Sequence, residues 1–280
     1  MQIDPTRSTS LDLNRRAFVG LAAAAAGGAT TVAAFAQELG KPHPPLVADD
    51  DPSIVVDRPT LKRSDGDIGS YAARPKNATA TTPGVVVVMH LWGVDTQIRD
   101  VVRRFAVAGY SAIAPDLYSR FGAPSGDGVS DASVLRPFAG KLVREQYDGD
   151  VRAATGWLHE RAPNVKLGVI GFCMGGALAL VQAMDNGDLF AAAAPFYGAV
   201  KDIDPEKIRV PLCGSYGARD TSIPADDVRA FRTKLHVPND FRIYDEAGHA
   251  FFDDQRGRYV ASAAHDAWAR TLAFFKDHIG

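Results

Sequence analysis

Apolar residues follow two rhythms along this chain, and their alternation predicts its architecture. Short apolar runs at residues 68–73, 85–89, 111–114, 165–170, 190–196, 210–215 and 241–244 read as strands. The run Val85-Val86-Val87-Val88-Met89 has no polar face, as expected of a strand covered on both sides in a parallel sheet. Between these runs the period becomes helical. Residues 96–108 place Ile98, Val101, Val102 and Phe105 on one face, with Gly109 as the stop. Further helices are predicted over 147–161 and 177–184, from Pro224 onward, and over 261–278. Residues 121–140, rich in Gly, Ser, Asp and Pro, predict a long surface connection. Strand and helix in alternation predict one α/β domain over 58–280, a mostly parallel sheet with helices on both faces.

In such a sheet, chemistry gathers beyond the carboxyl ends of the strands. One junction there is distinctive: Gly171-Phe172-Cys173-Met174-Gly175-Gly176 ends an apolar run and opens an alanine- and leucine-rich segment. This is the pattern of a nucleophile elbow, with cysteine where serine is usual. The flanking glycines leave room for a strained strand-to-helix turn, and a helix N-terminus favours a thiolate. A buried structural cysteine at an ordinary turn is the bland alternative. Asp220 and His249 fall at later strand ends, in the order nucleophile, acid, base. Cys173 would attack a carbonyl, His249 would carry the proton, and Asp220 would hold the imidazole tautomer.

The N-terminus differs in kind. Asn14-Arg15-Arg16-Ala17-Phe18 carries paired arginines ahead of an alanine-rich run, and Ala34-Phe35-Ala36 fits a small-x-small cleavage site. Basic, then apolar, then small is the order of an export signal, and the arginine pair points to the twin-arginine route for folded proteins. Residues 1–36 therefore read as a cleavable signal cut near Ala36-Gln37. The partner would be the twin-arginine export machinery and the destination the periplasm or the exterior. The apolar run is too short and too interrupted by glycine and threonine for a stable membrane anchor. Residues 37–57, rich in proline and aspartate, read as a stiff polar linker.

With 31 basic and 33 acidic residues the net charge is −2, and no basic run supports nucleic-acid binding. Two cysteines, Cys173 and Cys213, form neither a zinc spacing nor a disulfide framework, and would pair only if the fold brought them together.

The motifs named so far, with Ala114-Pro115-Asp116-Leu117-Tyr118-Ser119-Arg120, Tyr216-Gly217-Ala218-Arg219-Asp220 and Gly248-His249-Ala250-Phe251, resemble those of the dienelactone hydrolase (carboxymethylenebutenolidase) family of α/β-hydrolases. The resemblance covers nearly all of 60–280. It implies the α/β-hydrolase fold and cofactor-free hydrolysis of a small lactone or ester through an acyl-thiol intermediate, with no metal. It also implies an oxyanion hole from the backbone N–H groups of Leu91 and Met174, and a substrate carboxylate bound by Arg120. Trp92, Tyr118, Tyr197 and Phe251, with Phe121, are candidate pocket walls, though aromatics at strand ends also fill cores. Two departures stand out. His90 occupies the position where the family places a glutamate that modulates the thiol; it either contacts the thiol or is a hydrogen-bonded strand-end histidine. Where some members carry a second arginine after the catalytic histidine, this chain has Phe252-Asp253-Asp254, which favours less acidic substrates. A binding protein on a hydrolase scaffold and a thiol redox protein are the competing classes; Cys173 has no neighbouring cysteine in sequence to resolve a disulfide.

Overall fold

The computed structural model of the protein describes residues 42–280. The export signal expected over 1–36, and 37–41 of the expected linker, lie outside the described residues. Nine strands form the sheet: β1 (Ile54–Asp57), β2 (Thr60–Leu61), β3 (Ile68–Pro75), β4 (Gly84–Val88), β5 (Ser111–Pro115), β6 (Leu167–Phe172), β7 (Ala192–Phe196), β8 (Leu212–Gly217) and β9 (Asn239–Tyr244). The order is β1-β3-β5-β4-β6-β7-β8-β9, with β2 paired to β3 off that path. Pairings from β5 through β4 to β9 are parallel, and β3 joins β5 antiparallel, with β1 and β2 antiparallel to β3.

The helices are α1 (Thr96–Val107), α2 (Arg136–Ala139), α3 (Arg144–His159), α4 (Met174–Asp185), α5 (Ala225–Thr233) and α6 (Ala261–His278). Helix α1 carries the chain from β4 to β5, whereas α3 and α4 carry it the other way, through β6 to β7. Right-handed crossovers in opposite directions put helices on opposite faces. Phe105 of α1 meets Trp268 and Phe275 of α6 at ring-centroid distances of 4.7 and 6.0 Å, so α6 shares the face of α1. On the other face Gln182 of α4 bonds Asp148 of α3 at 2.5 Å. Strand order reverses beside β4, whose neighbours are β5 and β6, and that reversal opens a crevice at the carboxyl ends of the strands. Among the described residues no helix is long and apolar enough to cross a membrane.

The predicted strands and helices are present with ends moved by a few residues, and the connection over 121–140 contains short helical turns and α2. The linker expectation is corrected. Residues 42–57 pack onto the domain, because Asp100 on α1 is a buried carboxylate that needs donors. Leu46 and Val47 supply them through backbone N–H groups, each at 2.9 Å. Arg103 donates to the Val47 carbonyl at 2.5 Å, His43 N–H donates to the Asp254 carbonyl at 2.8 Å, and β1 then closes the sheet edge.

Candidate active site

Cys173 stands between β6 and α4 with φ 55° and ψ −114°, a conformation that costs a non-glycine residue energy. The neighbourhood holds it there. A side chain at Gly171 would lie 1.9 Å from the Gly175 carbonyl oxygen, and one at Gly175 would lie 2.3 Å from that of Val88. Only glycine lets β4, β6 and α4 approach this closely. Cys173 N–H donates to the Phe196 carbonyl at 3.1 Å, which ties the turn to β7.

The turn presents the sulfur to His249. Sγ and Nε2 are 3.1 Å apart, and His249 Nδ1 meets Asp220 Oδ2 at 2.7 Å. The second Asp220 oxygen accepts from the backbone N–H groups of Ser222 and Ile223 at 2.8 and 3.1 Å, so the carboxylate is fixed at both oxygens. Tyr197 (φ 37°) lays its ring 5.3 Å from the imidazole centroid. The three side chains thus form one hydrogen-bonded line from three different strand ends.

Its electrostatics follow from those contacts. Burial alone would raise the Cys173 thiol; the hydrogen bond and charge of His249, the Met174 backbone N–H and the charge of His90 together bring it below the usual thiol range. Burial likewise disfavours imidazolium at His249, but Asp220 and Cys173 override it and push His249 up to about 9. Asp220 is desolvated yet held low by the His249 hydrogen bond and charge. These contacts shift the pair towards a thiolate beside an imidazolium.

A cavity of about 1160 Å³ opens over the sulfur, with Leu91, Trp92, Met174 and Tyr197 among its lining. Its far side comes from the 127–132 segment, which Arg256 ties down by donating to the carbonyls of Val129 (2.7 Å) and Gly126 (3.4 Å). His90 lines the cavity and is buried; its Nε2 meets Asp95 Oδ1 at 2.9 Å, and its Nδ1 lies 3.9 Å from Asp253 Oδ2. Burial opposes its charge, but Asp95, Asp253 and Cys173 raise its pKa. Asp253 in turn is pushed up to about 6, chiefly by burial.

Four expected positions need correction, among them Phe121, which is not part of the cavity lining. Arg120 does not line the cavity: its guanidinium grips the buried Asp150 of α3 through two 2.7 Å bonds and Asp65 at 3.1 Å. Tyr118 and Phe251 are buried and absent from the lining as well. The Tyr118 hydroxyl donates to the Leu91 carbonyl at 3.0 Å, and Phe251 packs beneath Tyr197 at 5.4 Å. They support the site from behind. Sequence reasoning missed the Asp95–Arg256–Asp253 cluster. Asp95 carried a signal as the cap of α1, where it accepts from Ile98 N–H at 3.2 Å, but its second bond to His90 had none.

A line of thiol, imidazole and carboxylate beneath a cavity can activate a sulfur for attack on an electrophilic carbon. Comparison with known proteins agrees with hydrolase chemistry. The description of the dienelactone hydrolase family matches residues 68–279. A carboxymethylenebutenolidase-like protein of Escherichia coli (strain K12) is 34% identical over 250 residues, covering 84% of this chain and 92% of its own length. The crystal structure of a dienelactone hydrolase-like protein from Klebsiella pneumoniae superposes with a TM-score of 0.73 at 31% identity, covering 80% of this chain and 99% of that one. At 14% identity and TM-score 0.60, the α/β-hydrolase MGS-M1 from a deep-sea metagenome covers 80% of this chain and 99% of its own, and shares the fold. With the α/β-hydrolase sheet, the elbow and these matches together, the chain belongs to the dienelactone hydrolase family and is a hydrolase.

Proposed function

We propose that this protein hydrolyses small esters or lactones with Cys173 as nucleophile, His249 as acid and base, and Asp220 as the group that orients it. The observation that carries this reading is the unbroken line from Sγ through the imidazole to the fixed carboxylate, with contacts of 3.1 and 2.7 Å. The thiolate attacks the carbonyl carbon and the carbonyl electrons move to oxygen. Backbone N–H groups of Leu91 and Met174, residues that line the same cavity as the sulfur, receive that oxyanion. The intermediate collapses by breaking the acyl C–O bond, and the His249 imidazolium protonates the departing alkoxide. Water then attacks the thioester while His249 accepts its proton, and the thiolate leaves. In a lactone the alkoxide remains tethered to the acyl group, so ring opening gives a hydroxy acid.

The test is mass spectrometry of protein quenched during turnover of p-nitrophenyl acetate. An adduct of one acetyl group on the peptide containing Cys173 is expected, and neither adduct nor turnover in Cys173→Ala. Undiminished turnover in that variant would end the proposal. We also propose, from the sequence alone, that residues 1–36 direct export of the folded chain through the twin-arginine route, which places the mature enzyme outside the cytoplasm.

A further inference from the structure

The wall of the cavity beside Cys173 has its charges already matched. Asp95 and Asp253, both almost fully buried, face His90 and Arg256. Asp95 holds His90 at 2.9 Å and Arg256 at 3.3 Å, while Asp253 holds Arg256 at 3.3 Å. Arg256 also donates through Nη1 to the Val129 carbonyl and through Nη2 to that of Gly126, and its guanidinium lies 3.9 Å from the Trp92 ring centroid. No fork of that guanidinium is left for a ligand. Arg120, the sequence's candidate for a substrate carboxylate, is held by Asp150 and Asp65 outside the cavity.

A carboxylate brought to Cys173 on an acyl chain would therefore lose water without gaining a committed cation, and would face two existing carboxylates. An unpaired anion in such a place is strongly disfavoured. Two cations remain at the cavity lining, Arg136 and Arg258. Both are exposed, and among the described residues neither has an ion-pair partner. At the solvent-facing rim their attraction is screened and offsets little of that desolvation.

We infer that the site selects uncharged acyl groups, so that its substrates are neutral esters or lactones rather than ones carrying a carboxylate on the acyl side. This rests on the hydrolase reading above, and names the substrate class of the same site. Trp92, Ala177, Tyr197, Ala199 and Ile223 offer the apolar surface that such a group would cover.

Two p-nitrophenyl esters of matched shape test it: the isocaproate, with a terminal isopropyl group, and the hemisuccinate, with a carboxylate of the same size. The full-length mature enzyme is expected to favour the isocaproate in kcat/KM by about tenfold or more, the equivalent of about 1.4 kcal/mol. Each rate is corrected for spontaneous hydrolysis in the presence of Cys173→Ala. Calorimetric binding of both intact esters to Cys173→Ala supplies a readout that needs no turnover; tighter binding of the isocaproate is expected there too. Asp253→Asn removes one negative charge and should narrow the preference several-fold. Equal or better handling of the hemisuccinate overturns the inference, and its loss in Arg136→Ala or Arg258→Ala would assign the anion to the rim arginines. Absence of turnover with the binding preference intact would count against the hydrolytic mechanism alone. Failure of both esters to bind would count against the substrate class.

Discussion

His249 and Asp220 act on the sulfur through one imidazole, so their losses should not add. His249→Ala and Asp220→Asn are each expected to lower kcat/KM for an activated ester on the order of 10³-fold. The double variant should be little worse than the poorer single, because an aspartate without its histidine has nothing to orient. Steady-state kinetics of the four proteins decides this, and multiplicative losses would mean that the two residues work separately. The charge of His90 is a smaller influence on the thiol than that of His249. Iodoacetamide alkylation of Cys173 against pH should show this ordering. The rate at pH 7 is expected to fall several-fold in His90→Gln and further in His249→Ala, since removing either cation raises the thiol pKa and depletes thiolate. Cys213, buried and pushed up to about 11 mainly by desolvation, should stay unmodified throughout. At this scale the legible residues were those bound to a local pattern: Cys173 to its glycines, and Asp220 and His249 to their strand ends. Arg120 misled because its partner Asp150 lies 30 positions away, on a helix whose buried face no local motif marks. His90 was legible as a departure, but its pairing with Asp95 and Asp253 exists only once the chain has folded.

The elbow is where element packing and chemistry share residues. Gly171→Ala would push a methyl group to within 1.9 Å of the Gly175 carbonyl oxygen, and backbone on both sides must move to admit it. The expected cost is at least about 3 kcal/mol, with loss of activity, because the clash lies between β6 and the first turn of α4. Gly156→Ala is the control. It lies on an exposed face of α3 with nothing within 4 Å of the added carbon, and should stabilise by about 0.5–1 kcal/mol through helix propensity. Chemical denaturation of both variants makes the comparison, and a Gly171→Ala protein of unchanged stability would show that the close approach is not required. Elements with an unbroken apolar pattern, such as α1 and β4, were readable from that pattern alone. Strands β1 and β2 were not. They have four and two residues, and β1 exists as a strand because β3 offers it an edge. Proline and aspartate in that stretch suggested a linker, whereas Asp51 caps its own turn, accepting from Ser53 N–H at 2.9 Å.

For the molecule as a whole, the segment before β1 decides where the stable unit begins. Val47 is buried in the core, and the N–H groups of Leu46 and Val47 both serve Asp100, which also pairs with Arg104. Tyr71 and Arg103 hold Asp49 at the other end of the same stretch. A chain cut at Asp51 would expose the surface that Val47 covers, worth about 1.5–3 kcal/mol, and would strip two charge-assisted hydrogen bonds from a buried carboxylate. A loss of roughly 3 kcal/mol or more is expected, a fall in Tm of about 6–12 °C for a domain of this size. A signal cut near Ala36-Gln37 leaves this whole segment on the mature protein, and that bears on export, because a route for folded proteins requires a domain that is complete before transport. Three chains, beginning at Met1, Gln37 and Pro52, should therefore separate cleanly in thermal unfolding. The first two are expected to share one Tm, since both keep residues 42–51 and the contacts these make with Asp100 and the core, while the third unfolds lower. If export follows the twin-arginine route, a full-length precursor lacking residues 42–51 should be retained in the cytoplasm with its arginine pair intact. Equal Tm values for the chains beginning at Gln37 and Pro52 would show that residues 42–51 add nothing to the fold. Efficient export of the shortened precursor would separate the segment's role in stability from the requirement for transport.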